Sequence, residues 1–486
     1  MNILFIFGLF SLAVILAVVQ KNEKIIRLSA GAVSIASALT IWLFVSPQFF
    51  GTEVLITEWF YLDRFGALIA SLIALLSLSA TIVSVRYIGH EFKDGEVKIN
   101  DLKLYFTLLP LFVMAMFLVV VTNNTLIMWL ALEATTLSST FLVGLYRKRS
   151  SLEAAWKYII ICSTGITLGL IGILLLGYTS QAGADQSVSF LISDLLKNTS
   201  ALSPELVKWA FVFIFVGFGA KVGFAPIHTW LPDAHSKAPS PISALFSGIL
   251  LNVALYAIIR FQMIANQAIG GSEWTGKFFL FFGILSVVLP AFMLLVQRNY
   301  KRMLAYSSIE HMGLIALGLA LPPIGVMAAV IHMIGHSIIK SGLFFGAGEI
   351  LLRYKTTDTT KVGGLLKYAP YTSSLFLIGI IFIVAMPPSI LFVSEFTLFS
   401  AMIKAHLYLS IAVFIALGVI AFGMLRTTIG MILEKANTTD LNETREHWNI
   451  THSVMLVHII AVILLGVWFT SSSGTGFVVD IIKNLS

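Results

Sequence analysis

The chain has 486 residues, of which 58% are hydrophobic and 11% are charged, whereas about a quarter of the residues in soluble domains are charged. This much apolar surface excludes a soluble globular protein and predicts an integral membrane protein. The net charge of +7 does not indicate nucleic acid binding, because the basic residues stand singly or in short groups beside apolar segments, as loop charges that set membrane topology do.

The first apolar segment, residues 2–20, resembles a signal peptide in length. Its positive charges, Lys21, Lys24 and Arg27, follow the apolar stretch instead of preceding it, and no small-residue cleavage site is present. We therefore predict that it is an uncleaved first membrane span.

Apolar segments of about 18 or more residues predict membrane-spanning helices, and the sequence predicts fourteen of them. They lie near residues 2–20, 26–46, 63–88, 103–122, 125–146, 153–178, 205–228, 240–262, 275–296, 303–321, 324–352, 371–403, 408–433 and 451–470. Most lysines and arginines fall in one alternating set of loops, which the positive-inside rule places in the cytoplasm. Both termini are then predicted to lie outside, in agreement with an even number of spans.

Two of these spans are predicted to be broken helices. Gly223 and Pro226 interrupt the seventh span, and Pro387 and Pro388 interrupt the twelfth; proline removes a backbone donor and bends or breaks a helix. Because the breaks lie five spans apart, they indicate a duplicated unit of five helices whose second copy is inverted. Ion-coupled transporters share this plan, and their functional site lies at the broken helices.

The fold class predicted from these features is an all-α polytopic membrane protein with two inverted five-helix repeats. The predicted parts are an N-terminal three-helix segment (1–100), the first repeat (101–265), the second repeat (270–435) and a C-terminal span (445–486).

Several ionisable side chains fall inside the predicted spans, where an isolated charge costs at least about 2.5–3.5 kcal/mol. They are Glu133 in the fifth span, Lys221 in the seventh, His332, His336 and Lys340 in the eleventh, and Glu395 in the twelfth. This set is hard to explain without a polar pathway inside the protein, and it predicts proton translocation.

Lys221 stands close to the break in the seventh span, and a helix break leaves free backbone dipoles and room for water. Burial disfavours the charged form of a lysine and a nearby carboxylate favours it, so such a lysine can take up and release a proton when its partner moves. We interpret Lys221 as a switchable proton carrier with Glu133 as its partner. The alternative is that the two residues form a purely structural buried ion pair.

His332, His336 and Lys340 recur at every fourth residue and therefore share one face of a helix. Two histidines four residues apart can hold zinc, but no cysteine or well-placed third ligand follows, so we predict no metal site. The stripe is interpreted as proton-conducting or, alternatively, as a hydrogen-bonded packing stripe.

Four further residues lie near the predicted spans. His228 and His235 fall in a predicted cytoplasmic loop, where solvation is the simplest expectation, and Glu310 and His311 lie a turn or two into the tenth span, where their environment is ambiguous.

Cofactor chemistry is not predicted for this chain. Cys162 is the only cysteine, which excludes a disulfide framework, a cysteine zinc site and an iron–sulfur cluster held by this chain alone. The sequence also has no glycine-rich nucleotide-binding motif. Any redox cofactor is expected to be bound by a partner.

The motifs resemble those of the antiporter-like subunits of respiratory complex I, Mrp antiporters and membrane-bound group-4 hydrogenases, over about residues 60–430. The stretches that carry this resemblance are LALEATTLSS, AKVGFAPIHTWLPDAHSKAPSPISALFSGILL, QRNYKRMLAYSSIEHMG, HMIGHSIIKSGLFF and MPPSILFVSEF. Within the family, LAYSSIEHMG and SPISALFSGILLN are most similar to hydrogenase-4 component F. Because the sequence stops after its fourteenth predicted span, we expect no long lateral helix like that of the largest complex I antiporter-like subunit.

The resemblance implies that Glu133 and Lys221 form a coupling pair and that Glu395 is an exit group. It also relates Lys340 and its histidines to a stripe found in some members, and it makes His228, Asn252, Glu310 and His311 candidate relay or gating residues.

Asn252 departs from the family pattern, because complex I members have a lysine or histidine there. An amide can order water but cannot store a proton, so a continuous titratable chain between the halves requires another route. We favour a route along His332 and His336, since an imidazole titrates near neutrality.

The resemblance implies a proton- or sodium-translocating subunit of a redox-driven complex in the cell membrane of a prokaryote. Its expected partners are other membrane subunits and a peripheral redox arm, and no nucleic acid. Two alternatives stay open: an Mrp-type cation/proton antiporter subunit, and a membrane partner of an inorganic-carbon uptake complex whose companion carries zinc.

Overall fold

The computed structural model describes residues 3–51, 54–179, 188–434 and 446–483, which are predominantly α-helical. In chain order the helices are α1 (Ile3–Val19), α2 (Glu23–Phe50), α3 (Arg64–Lys93), α4 (Ile99–Val121), α5 (Thr125–Val143), α6 (Arg149–Thr179), α7 (Ile192–Lys197), α8 (Pro204–Val222), α9 (Trp230–Lys237), α10 (Ser240–Leu245), α11 (Leu251–Ile269), α12 (Glu273–Leu295), α13 (Tyr300–Leu319), α14 (Ile324–Tyr354), α15 (Leu365–Tyr368), α16 (Pro370–Ile383), α17 (Ile390–Ala405), α18 (Leu407–Leu433), α19 (Ile450–Phe469) and α20 (Ser472–Ile482). A π-helical turn, Phe246–Leu250, joins α10 to α11. The polytopic all-α prediction is confirmed.

Ten described helical segments are long and apolar enough to cross a membrane. The other four predicted spans also coincide with helices, but these are shorter, split or more polar: α1, α8, α13 and the pair α16–α17. The count of fourteen therefore stays a prediction. Parts of two predicted loops, residues 180–187 and 435–445, lie outside the described residues.

Short polar side chains fix where many of the helices begin, because each accepts a hydrogen bond from a backbone N–H that has no partner within the helix. The N-cap residues that do so are Asn22, Asp63, Asn124, Asn299, Ser389, Asn449 and Ser471. Their spacing along the chain divides the apolar sequence into separate helices.

Both predicted helix breaks are confirmed. Helix α8 ends at Gly223, whose φ of 82° suits glycine, and the chain starts α9 only at Trp230. Helix α16 ends at Ile383, and α17 starts six residues beyond Val384, at Ile390. Each break contains a proline with a cis peptide bond.

Helices α6 and α8 pack with their backbones in close approach. A Cβ atom on Gly165 would lie 2.7 Å from the Gly217 carbonyl oxygen, and one on Gly217 would lie 2.5 Å from the Gly165 carbonyl oxygen. Only residues without a side chain fit such a contact. This contact brings the end of α8, which carries Lys221, against α6.

The two predicted repeats have equivalent helix contacts. In the first repeat α4 packs on α5 and α6 on α8; in the second repeat α12 packs on α13 and α14 on α17. The repeat boundaries and the inversion stay predictions. Several small elements were not predicted, among them α7, α9, α15, α20 and a two-stranded antiparallel hairpin of β1 (Leu55–Ile56) and β2 (Tyr61–Leu62).

A buried ion pair, absent from the sequence prediction, ties α11 to the start of α3. The Arg260 guanidinium donates to both carboxylate oxygens of Asp63, at 2.7 and 2.5 Å, and each side chain is 1% exposed. The guanidinium carbon also lies 4.6 Å from the centre of the Tyr256 ring. Because Asp63 also caps α3 through Gly66, this pair fixes the hairpin end of the bundle.

We expect Arg260→Met to lower the thermal stability of the purified protein strongly, because removing one partner of a buried pair leaves an uncompensated charge at a cost of about 3–5 kcal/mol. The double variant Asp63→Leu/Arg260→Met should recover much of the loss, and Lys277→Met, at an exposed lysine, should change little. The midpoint of thermal unfolding measures this effect. Equal midpoints for Arg260→Met and the wild type would contradict the structural role.

Candidate proton-translocating site

Lys221 lies fully buried at the end of α8, one residue before the helix ends. Its Nζ atom donates to Thr136 Oγ1 on α5, at 2.8 Å, and to the Tyr158 hydroxyl on α6, at 2.7 Å. The ammonium also lies 4.9 Å from the centre of the Tyr158 ring, a cation–π distance. All of these partners are neutral, so the lysine can lose its proton without leaving a carboxylate unpaired.

Glu133, on α5, does not touch Lys221. Its Oε1 atom accepts a hydrogen bond from Ser163 Oγ at 2.6 Å, and its buried Oε2 atom has no partner. The described residues contain no ion pair within 4.0 Å between Glu133 and Lys221. The alternative of a structural ion pair is therefore wrong for this structure.

Helix α6 connects the two residues instead. Tyr158 holds Lys221, Ser163 holds Glu133, and the Tyr158 hydroxyl also lies 2.8 Å from Ser139 Oγ. Hydroxyl groups both donate and accept, so each of them can pass a proton to or from the ionisable group that it contacts, but no hydrogen bond among the described residues joins Ser163 to Tyr158.

We expect Glu133→Gln to impair ion transport strongly while Glu133→Asp retains part of it. The glutamine amide oxygen can still accept from Ser163, so the change removes charge and proton acceptance but keeps the hydrogen bond. Transport in membrane vesicles, normalised to the amount of assembled protein, measures this. Wild-type transport by Glu133→Gln would indicate a packing role.

A second cluster joins α13, α14 and α17. His311 Nδ1 lies 2.9 Å from His332 Nε2, and His332 Nδ1 lies 2.9 Å from Ser394 Oγ. On the other side of the His311 ring, Nε2 lies 3.4 Å from Glu310 Oε2. Glu310 and His311 are both buried, which resolves their ambiguous position in the sequence.

The remaining residues of the α14 stripe are also buried but less connected. Neither ring nitrogen of His336 has a hydrogen-bond partner, although its ring centre lies 5.2 Å from that of His311. Lys340 Nζ donates to the Leu304 carbonyl at 2.8 Å. The stripe thus faces α13, and only His332 is part of a continuous hydrogen-bonded chain.

Asn252, on α11, forms hydrogen bonds with α14. Its amide nitrogen donates to Ser337 Oγ at 2.7 Å and to the Met333 carbonyl at 3.3 Å, and its Oδ1 atom has no partner. Ser337 follows His336 directly in the chain. The proton route at Asn252 and the route along His332 and His336, both considered from the sequence, therefore meet on α14.

A group of possible metal ligands lies outside the predicted pair His332 and His336. His311, His332 and Glu395, from three different helices, bring ligand atoms within 4.8 Å of one another. We do not interpret this group as a metal site, because His332 already uses both ring nitrogens in hydrogen bonds to His311 and Ser394. A second such group consists of Glu349, Glu446 and His452, and its Glu349 is paired with Arg86.

The expectation that His228 and His235 are solvated is wrong. They are 7% and 0% exposed, because the chain after the break folds back into the bundle as α9. There the Trp230 indole N–H donates to the Ala220 carbonyl near the end of α8, at 2.8 Å. His235 stacks on Phe344, with ring centres 5.1 Å apart, and neither of its ring nitrogens has a partner.

An aromatic ring separates the Lys221 cluster from His235. Phe246, at the start of the π-helical turn, lies 5.7 Å from the Tyr158 ring and 5.6 Å from the His235 ring, measured between ring centres. The Lys221 cluster thus ends at Tyr158, with apolar contact between it and His235.

Comparisons with known proteins show the family to which the chain belongs. Residues 122–423, which include every predicted site residue, match the family described as "NADH:quinone oxidoreductase/Mrp antiporter, TM". A hydrogenase-4 component F homolog of Methylacidiphilum infernorum is 34% identical over 85% of this chain and 86% of its own length. Hydrogenase-4 component B of Escherichia coli is 32% identical over 76% of this chain but 54% of its own length.

Solved structures share the fold. A chain of the membrane-bound sulfane sulfur reductase, an archaeal respiratory complex, has a TM-score of 0.84 at 24% identity and covers 99% of this chain and 96% of its own. A chain of the Mrp complex from Dietzia has a TM-score of 0.83 at 19% identity, with the same coverage of both chains. The chain belongs to the family of antiporter-like membrane subunits of NADH:quinone oxidoreductases and Mrp antiporters.

Proposed function

We propose that this chain is a proton-translocating membrane subunit of a multisubunit redox-driven complex of the hydrogenase-4 type. The observation that carries the proposal is the line of buried ionisable groups, above all the hydrogen-bonded chain from His311 through His332 to Ser394, with the Glu310 carboxylate 3.4 Å from the other ring nitrogen of His311. Buried ionisable groups inside a membrane are costly and mark ion pathways.

The likeness to hydrogenase-4 component F over most of both chains supports the hydrogenase-type assembly. We further propose that the chain lies in a prokaryotic cell membrane with both termini outside, and that a peripheral arm of partner subunits supplies the redox energy. Within the chain, Lys221 and the histidine cluster accept and release the protons. Glu133 is the coupling partner of Lys221, and Glu395 is the exit group.

An Mrp-type antiporter subunit is the second candidate, because the matching family includes Mrp antiporters. The two candidates differ in their partners and in the role of sodium. An antiporter exchanges sodium for protons and needs no electron donor, whereas the proposed subunit moves protons only while electrons flow.

The test is to purify the assembled complex through a tag on this chain, identify the co-purifying chains, and measure ion movement in vesicles without sodium. We expect redox subunits to co-purify and protons to move during electron transfer. Absence of any redox subunit, together with proton movement that requires sodium, would favour the antiporter and contradict the proposal.

A further inference from the structure

A polar cavity of about 310 Å³ opens where the ends of α3 and α14 meet the start of α6. Its lining includes Glu91, Glu96, Tyr146, Lys148, Ser236 and Lys355. In the predicted topology all three helix ends face the cytoplasm. None of these residues belongs to the two clusters described above.

Glu91 is the buried acid of this cavity. It is 6% exposed, and the Tyr146 hydroxyl, which donates to the carboxylate, lies 2.7 and 2.8 Å from its two oxygens. No lysine or arginine among the described residues pairs with it within 4.0 Å; the nearby Arg86 pairs with Glu349 instead. A purely structural buried carboxylate is expected to have a cation in direct contact, whereas Glu91 is held by the Tyr146 hydroxyl, and Lys301 and Lys355 face it only from beyond 4.0 Å.

Unused polar atoms continue inward from Glu91. The hydroxyls of Tyr87 and Ser240 are buried and have no hydrogen-bond partner. The two side chains converge at Gly348, where an added Cβ atom would lie 2.8 Å from Ser240 Cβ and 3.2 Å from the Tyr87 ring. Buried polar groups without protein partners are typical of sites that hold water.

Two further basic groups lie between this point and the second cluster. Lys301 is fully buried, and its Nζ atom donates to the Ala238 carbonyl at 2.7 Å, three residues after His235. Ala238 closely follows Ser236, which lines the cavity together with Glu91. His235 in turn stacks on Phe344, one turn after Lys340 on α14, and the Lys340 Nζ atom donates to the Leu304 carbonyl, one turn beyond Lys301 on α13.

We propose that this cavity is the proton-intake site on the cytoplasmic face, and that Glu91 is its first proton acceptor. The Glu91 carboxylate takes a proton from water in the cavity and passes it through Lys301 and His235 to Lys340. Each group accepts one proton and releases one to the next, so the route returns to its starting charge. The inference rests on the proposed function, because it supplies protons to that site.

Glu91→Gln tests the proposal, since the amide can still accept from Tyr146 but cannot carry a proton. We expect transport to fall at least about tenfold at unchanged assembly, and Glu91→Asp to restore part of it. The charged and titratable groups that face Glu91 are Tyr87, Tyr146, Lys301 and Lys355, and all are unchanged in both variants. Glu153→Gln, at an exposed carboxylate on α6, is the matched control and should transport normally.

A cysteine at Ser150, an exposed residue at the edge of the cavity, tests the side of access. A bulky membrane-impermeant thiol reagent should slow transport by Ser150→Cys when it is applied to the cytoplasmic face and not when applied outside. The natural Cys162 is buried, so the label is selective, and labelled Lys367→Cys, at an exposed position away from the cavity, should transport as it does unlabelled.

Wild-type transport by Glu91→Gln, or no effect of the label at position 150, would overturn the intake site. If Lys221→Met still blocks transport in the same vesicles, the proposed function stands and only the intake site fails. If Lys221→Met also transports normally, the proposed function itself fails.

Discussion

Lys221→Met is expected to abolish proton movement while the complex still assembles. Methionine has a similar length and suits a fully buried position whose polar neighbours, Thr136 and Tyr158, are neutral, so the bundle should keep its packing. It cannot take up a proton, and loss of a positioned proton-transfer group typically costs 10²–10⁴-fold. We therefore expect transport in inverted vesicles to fall by about 100-fold or more.

Lys208→Met is the matched control, because Lys208 lies at the other end of α8, where it pairs with Glu205 at 2.8 Å. It should assemble and transport like the wild type. Normal transport by Lys221→Met, at equal amounts of assembled complex, would show that Lys221 is not a carrier.

The double variant His332→Ala/His336→Ala should stop transport to a similar degree, because it removes the centre of the chain that links His311 to Ser394. Asn252→Lys should matter little by comparison. The Ser337 hydroxyl and Met333 carbonyl that now accept from the Asn252 amide can accept from an ammonium as well. Transport rates of the two variants in vesicles measure the difference.

Single variants then separate the two histidines. His332 has hydrogen bonds on both ring nitrogens, whereas His336 has none, so we expect His332→Ala alone to account for most of the loss. Unimpaired transport by the double variant, with altered transport in Asn252→Lys, would place the route at Asn252 instead.

The sequence predicted the features that depend on residue type at one position. Proline and glycine in apolar segments predicted both helix breaks, since their backbone effects are local. Charges inside spans predicted Glu133, Lys221, Glu395 and the α14 stripe, since their cost in a membrane makes them unusual. These residues are buried or partly buried in the structure.

The partners of these residues could not be predicted. Hydroxyl residues such as Tyr158, Ser163 and Ser394 occur throughout the helices, and which of them meets an ionisable group depends on how the helices pack. Helical spacing correctly placed His332 and His336 on one face, but it could not show that His332 pairs with His311 on α13. Packing between helices, not spacing along one helix, decides that contact.

The burial of His235 was missed for a related reason. The stretch HTWLPDAHSK has the composition of a loop, and a topology based on apolar length leaves it in solvent. The structure folds it back against α13 as α9, where Asp233 pairs with Arg302 at 2.5 Å and Lys157 at 3.1 Å. The buried pair of Asp63 and Arg260 was also missed. A lone arginine within an apolar helix, Arg260, is the sequence signal that could have indicated it.

The most direct test of the account is the number of protons moved per electron pair by the purified complex in sodium-free proteoliposomes. The electron donor and acceptor are those of the co-purifying redox subunits, and an entrapped pH dye reports the protons. We predict that the Lys221→Met complex moves at least about 100-fold fewer protons per electron pair than the wild type, and that the count for Lys208→Met is unchanged. An equal proton count for wild type and Lys221→Met would contradict proton translocation through this chain.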